Sequence, residues 1–228
     1  MCGRYVAAFD PDALVAEFEI SSMQVERLAP DYNVAPTKRV YVIAEREENG
    51  ESLNVLEISR WGLIPSWAKD RTRAARMINA RVETVAEKSS FRSAFARRRC
   101  LIPASGYYEW CGPQKRPFYI QAADGAPLAM AGLYEWWRDK SVEESDPGAW
   151  TLTCSIITTA ANADLALIHD RMPILIAPGD RGGWLATARD GHEALAGLST
   201  LVPLSAYPVS SAVNKVSNNG PDLINALG

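Results

Sequence analysis

The sequence predicts an α+β fold, a single domain over residues 1–228 with an antiparallel, barrel-like β core flanked by short helices. Three observations predict it. Strand-like apolar runs recur at short spacing along most of the chain, and the helical patterns between them are short and irregular rather than in βαβ alternation. No repeat, low-complexity tract or long linker divides the 228 residues. With 47% hydrophobic and 22% charged residues, the chain can bury a substantial core.

The elements follow in order. Asp10-Pro11-Asp12 ahead of residues 13–18 supplies the N-cap and first-turn proline of a short helix. Residues 40–44 and 53–58 read as strands around Glu48-Asn49-Gly50-Glu51, hence a hairpin. Ser89-Ser90 caps a helix reaching about Arg97. Strands follow at 100–102, 106–110, 118–120, 128–136 and 150–158. Residues 161–168 read as a short helix, 174–176 as a strand, 180–188 as a helix and 201–204 as a late strand.

Composition excludes several classes. No apolar run approaches the roughly 18 residues of a membrane span, and the first residues, with Arg4, Asp10, Asp12 and Glu17, lack a signal-peptide stretch. The chain is therefore read as cytoplasmic, nucleoid-associated in a bacterium or nuclear in a eukaryote, with no membrane partner. Cys2, Cys100, Cys111 and Cys154 form no CxxC pair and have only His169 and His192 to help them, so free thiols are expected and a metal site is not. No glycine-rich loop or ligand cluster calls for a cofactor. The net charge is −3, yet residues 69–116 carry twelve basic and four acidic side chains, a charge of +8 that leaves −11 for the rest. That segment is either a solvated basic face or a phosphate-tracking groove on an acidic body.

Four residues stand out chemically. Cys2 follows Met1, and a small second residue is what methionine-removing enzymes accept. Once Met1 is gone, Cys2 carries an amine and a thiol on neighbouring carbons, with reference pKa values of about 8 and about 8.5, so thiolate and free amine coexist near neutrality. A 1,2-aminothiol closes on an aldehyde to a durable thiazolidine; Cys2 could equally be a small residue near a terminus. Retention of Met1 would acylate the amine and abolish that chemistry. Asn79 interrupts the apolar approach of Met77-Ile78, as a turn or cap residue or as a site amide. Glu109, between Tyr108 and Trp110, either points to water or sits in a low-dielectric pocket with a raised pKa. His169, before Asp170, Arg171 and Pro173, is structural or catalytic. Together, Cys2, Asn79, Glu109 and His169 supply an aminothiol, a proton shuttle, an acid/base group and a neutral donor, the set that thiazolidine formation needs.

Six blocks resemble the SOS-response-associated peptidase family: Met1-Cys2-Gly3-Arg4-Tyr5, Tyr32-Asn33-Val34-Ala35-Pro36-Thr37, residues 60–67 ending in Pro65-Ser66-Trp67, residues 78–84 with Asn79 and Arg81, Gly106-Tyr107-Tyr108-Glu109-Trp110, and residues 168–173. The resemblance runs to Val213-Asn214-Lys215-Val216 and implies a sensor of abasic sites in single-stranded DNA that crosslinks to the exposed deoxyribose aldehyde through Cys2. It implies Cys2 as nucleophile, Asn79 as orienting amide, Glu109 as proton shuttle and His169 as the acid/base that helps open the sugar. Arg4, Asn33, Pro36, Arg81 and Arg171 are implied as contacts to phosphate or lesion, and Trp67 as an aromatic wedge stacking on a base. The expected partner is single-stranded DNA with abasic sites, bound by a monomer, with replication-fork proteins as further candidates. Two other functions stay open: an autoproteolytic peptidase with Cys2 as nucleophile, and a non-catalytic module for single-stranded or modified DNA.

Overall fold

The computed structural model describes residues 2–23, 25–198 and 201–227. Met1, and with it the expected removal of Met1, lies outside the described residues. The described order is β1 (Arg4–Ala7), α1 (Pro11–Glu17), β2 (Asp31–Val34), β3 (Arg39–Glu48), β4 (Glu51–Trp61), β5 (Asn79–Arg81), α2 (Arg92–Arg97), β6 (Arg99–Ala104), β7 (Gly106–Cys111), β8 (Arg116–Ala122), β9 (Leu128–Arg138), β10 (Trp150–Ala160), β11 (Arg171–Pro173), α3 (Arg181–Leu185), α4 (Gly191–Ala196) and β12 (Leu204–Pro208).

Five strands close into a ring in the order β10-β4-β3-β6-β9 and back to β10. Every neighbouring pair in it is antiparallel except β4 and β10, which run parallel. A second sheet, β12-β8-β7-β1-β2, is antiparallel throughout. The predicted α+β fold with a barrel-like β core is thus observed, with one parallel pair completing the closure.

Side-chain alternation divides each ring strand between two cores. On β3, Val40, Val42 and Ala44 join Tyr5, Tyr107 and Ile120 of the second sheet, whereas Tyr41 and Ile43 join Leu14, Phe18, Phe95 and Trp184 of the helices. Strands buried on both faces need apolar residues at nearly every position, which is why these runs were legible in the sequence. Asp10 caps α1 by accepting from the Asp12 backbone N–H at 3.0 Å, as predicted.

Several boundaries differ from the sequence expectation. The helix expected from a Ser89-Ser90 cap begins at Arg92 without a side-chain cap, because Lys88 O takes the N–H groups of Phe91 and Arg92, both at 2.9 Å. Residues 161–168 form successive turns rather than a helix; the segment is too short to nucleate one and its end is drawn back to β10 by Ala161 N–H donating to Asp170 O at 3.0 Å. The strand expected at 174–176 lies earlier, as β11, while residues 174–176 form only an isolated bridge to β9, with Ile174 N–H donating to Ile157 O, Ile174 O accepting from Ala131 N–H and Ile176 N–H donating to Ala129 O. The 180–188 helix is shortened to α3, α4 follows under an Asp190/Glu193 capping box, and the late strand is β12 rather than 201–204. Strands β1, β2 and β5 were not foreseen.

One member of the basic segment is structural. Arg99 is buried, and its guanidinium donates to five carbonyls: Trp184 O at 2.8 Å, Phe95 O at 3.2 Å, Ala96 O at 2.9 Å, Ala186 O at 2.5 Å and Arg189 O at 3.0 Å. It ties β6 to the chain ends of α2 and α3 and offers nothing to phosphate. Arg98 is likewise paired, to Glu135 at 2.8 Å. Arg99→Met should cost about 3 kcal/mol or more, since it strands buried acceptors. Urea unfolding measures it; a loss under about 1 kcal/mol would show that water satisfies those carbonyls instead.

Candidate active site

Strand β10 sets two of the site residues in place. Its residues Ile156–Thr158 pair in parallel with β5, placing Asn79 opposite Ile156, and its end pairs with β11, placing Arg171 opposite Ala160 and His169 just before it. The second sheet supplies the other two, with Glu109 on β7 and Cys2 leading into β1, which pairs with β7. The four residues expected to act together fall into two pairs: Asn79 Nδ2 donates to Cys2 O at 2.8 Å, and Glu109 Oε2 lies 3.9 Å from His169 Nε2, with the Glu109 charge acting on the Cys2 thiol.

Electrostatics here are set by burial. The Glu109 side chain is buried, and desolvation of its charged form raises its carboxyl to about 7. Cys2 is also buried, and that burial, reinforced by the Glu109 charge, pushes its thiol far up. In the chain that still carries Met1, burial thus favours the neutral Cys2 thiol over the thiolate. For His169, partial burial lowers the pKa, favouring the neutral ring. Its Nδ1 accepts the Arg171 N–H at 3.0 Å, which leaves the proton on Nε2, facing Glu109. Asp170 Oδ1 lies 2.9 Å from the same Nδ1 and accepts from it whenever that nitrogen carries a proton.

Beside Asn79 opens a groove of about 800 Å³ whose walls include Pro65, Trp67, Lys69, Arg73, Arg76 and Lys88. Its tip is held rigidly. Gly62 leaves β4 at φ +126°, where a Cβ would strike Ala74 O at 2.5 Å, and its N–H donates to Cys154 O at 2.8 Å. Trp137 Nε1 holds Ala68 O at 2.8 Å, and Ile64 N–H donates to Thr153 Oγ1 at 3.0 Å. Trp67, on this pinned loop, is 62% exposed.

The six residues expected to touch DNA are placed differently from one another. Trp67 and Arg81 are exposed, and Pro36 is half-buried. Asn33 is fully buried, its amide donating to Val213 O, Lys215 O and Asn218 O at 3.0–3.2 Å, while its Oδ1 takes Arg4 Nη1 at 2.6 Å. Arg4 and Asn33 thus clamp the C-terminal segment in this structure, and a contact from Asn33 to DNA requires that segment to move. The Arg171 side chain, 11% exposed, forms a two-pronged pair with Glu83 at 2.5 and 2.9 Å and donates to Thr158 O at 2.7 Å. Sequence reasoning did not single out Tyr107, buried in the same cluster as Cys2; an aromatic residue on a strand looks like ordinary core.

Among the described residues no helix is long and apolar enough to cross a membrane. Comparison with known proteins agrees with the geometry. The family model described as SOS response associated peptidase (SRAP) matches residues 1–216. The chain is 40% identical to the abasic site processing protein YoqW of Bacillus subtilis, over 98% of this chain and 99% of that one. It is 34% identical to the abasic site processing protein YedK of Escherichia coli, over 98% and 99%. A solved structure of a Bacteroides thetaiotaomicron protein superposes with a TM-score of 0.83 at 29% identity, covering 99% of this chain and 100% of that one. The chain belongs to the SOS response associated peptidase (SRAP) family.

Proposed function

We propose that the chain processes abasic sites in single-stranded DNA by capturing the exposed deoxyribose aldehyde on Cys2 after loss of Met1. The observation that carries this reading is that Asn79, which lines a groove rich in cations, donates to the Cys2 carbonyl, while Glu109, whose charge acts on the Cys2 thiol, faces His169. The relatives' names supply the lesion; the aminothiol supplies the chemistry.

The reaction runs amine first, because the thiol is neutral. The Cys2 nitrogen attacks the aldehyde carbon, and the resulting carbinolamine loses water as Glu109 protonates the departing hydroxyl and takes back the nitrogen's proton, leaving an imine. The Cys2 sulfur then adds to the imine carbon while its proton passes through Glu109 to the nitrogen. One thiazolidine and one water are formed. A carboxyl near 7 suits both directions of proton transfer, and Asn79 fixes the Cys2 carbonyl so that nitrogen and sulfur face one carbon. The Nε2–H of His169 is positioned to assist opening of the sugar ring. Lys69, Arg73, Arg76 and Lys88 line the path of a phosphodiester strand, and exposed Trp67 offers a stacking face where a duplex partner would otherwise continue.

Incubation with a single-stranded oligonucleotide carrying one abasic site, after intact mass has confirmed Met1 removal, should yield a denaturation-resistant adduct that Cys2→Ala abolishes. No adduct from processed, folded protein would sink the covalent reading and leave non-covalent binding.

Glu109→Gln should slow adduct formation about a hundredfold with DNA affinity nearly intact. The wild-type rate should peak near pH 7, falling on the acid side as the amine protonates and on the alkaline side as Glu109 loses its proton; in the variant it should simply climb with pH. Identical profiles would remove Glu109 from the chemistry.

The same variant has a stability consequence. The folded pKa of Glu109 is raised from 4.5 to about 7, so its favourable contribution is complete below pH 4.5 and is lost as pH rises to 7. Glu109→Gln should therefore match wild type near pH 4 and exceed it at pH 8 by on the order of 2–3 kcal/mol in urea unfolding. Equal stability at pH 8 would mean that the carboxylate is already compensated in the fold.

A further inference from the structure

The strand that carries Glu109 carries a second polar atom facing the same site. Tyr107 lies two residues before Glu109 on β7, so both side chains leave the same face of the strand. It is fully buried in the cluster that holds Cys2, and its hydroxyl has no hydrogen-bond partner among the described residues. Its neighbour Tyr108, on the opposite face, is satisfied, donating to Tyr32 O at 2.9 Å. A buried hydroxyl left unbonded is unfavourable, and phenylalanine would fill the same space without that penalty. Burial first, and then the charges of Cys2 and Glu109, push the ionisation of the Tyr107 phenol up. Across the site, Asn79 Oδ1 also lacks a partner although its Nδ2 is engaged by Cys2 O. A donor and an acceptor with unused capacity therefore flank the N-terminal cysteine.

We infer that Tyr107 is a further catalytic residue, whose O–H donates to the lesion's reacting oxygen: the aldehyde oxygen as the Cys2 amine attacks, then the carbinolamine oxygen as it leaves in water. Asn79 Oδ1 accepts from a hydroxyl of the opened sugar on the other side. The inference rests on the covalent reading proposed above. Tyr107 keeps its proton throughout, because burial beside two acidic groups drives its ionisation far above neutrality; the proton that departs with water comes from Glu109. Its contribution is therefore a fixed dipole aimed at developing negative charge.

Tyr107→Phe removes this one oxygen and tests the inference. The crosslinking rate with a single-stranded abasic oligonucleotide should fall about tenfold, the loss expected for one neutral hydrogen bond made in the transition state. Affinity for an undamaged single-stranded oligonucleotide should stay within about twofold, and stability toward urea should be unchanged or higher. A rate equal to wild type overturns the inference. So does a drop in stability, which would show the hydroxyl bonded within the core, and so does a tenfold loss of affinity, which would make it a binding group. If wild type forms no Cys2-dependent adduct, the covalent reading falls and this inference with it. If wild type crosslinks and Tyr107→Phe keeps pace, this inference alone falls.

Discussion

The fold and the site both depend on the ladder that β10 makes with its neighbours. Over its first residues β10 pairs with β9 and β4 and so closes the ring. From Ile156 the parallel side passes from β4 to β5, and from Thr158 the antiparallel side passes from β9 to β11. One strand therefore closes the barrel with its first half and aligns two site segments with its second. A slip of one residue would reverse which side chains face inward on the whole strand, taking Ile156 out of the core with Cys2 and carrying Asn79 and Arg171 with it. Because both faces of β10 are buried, the register that folds the barrel is also the register that assembles the site.

Much of the barrel was legible in the sequence because its strands are covered on both sides. Runs such as residues 40–44 and 128–134 are apolar nearly throughout, and neither helix periodicity nor water on one face fits them. The short strands were not legible for the opposite reason. Arg4–Ala7, Asp31–Val34 and Asn79–Arg81 are three or four residues of mixed polarity that become strands only because a longer partner offers them a ladder. Residues 161–168 failed in reverse, with local helical composition overruled by attachment to β10 at Asp170.

At the site, residue chemistry was readable and residue geometry was not. A thiol, an amide, a carboxyl and an imidazole could be named from sequence as a complete set, but their meeting joins positions 2, 79, 109 and 169, a non-local fact. The basic segment shows the limit of charge counting. Arg97-Arg98-Arg99 reads as one patch, yet Arg99 starts a strand and turns inward, where five carbonyls use all of its donors. The cations that line the groove are instead Lys69, Arg73, Arg76 and Lys88.

The burial of Cys2 beside Glu109 also orders the chemistry. Each group is disfavoured as an anion by loss of water, and the Glu109 charge further raises the thiol. Near neutrality a single negative charge at most is tolerated there, and the carboxyl, with the lower pKa, takes it. In the proposed reaction the sulfur therefore stays protonated until an electrophile lies beside it and a base accepts its proton, so the nitrogen bonds first. A reactive thiolate held open to solvent would be exposed to oxidation and to stray electrophiles. In the proposed capture the thiol is withheld by burial and released only by the imine that its own amine would make, so that the selectivity of the second bond is inherited from the first.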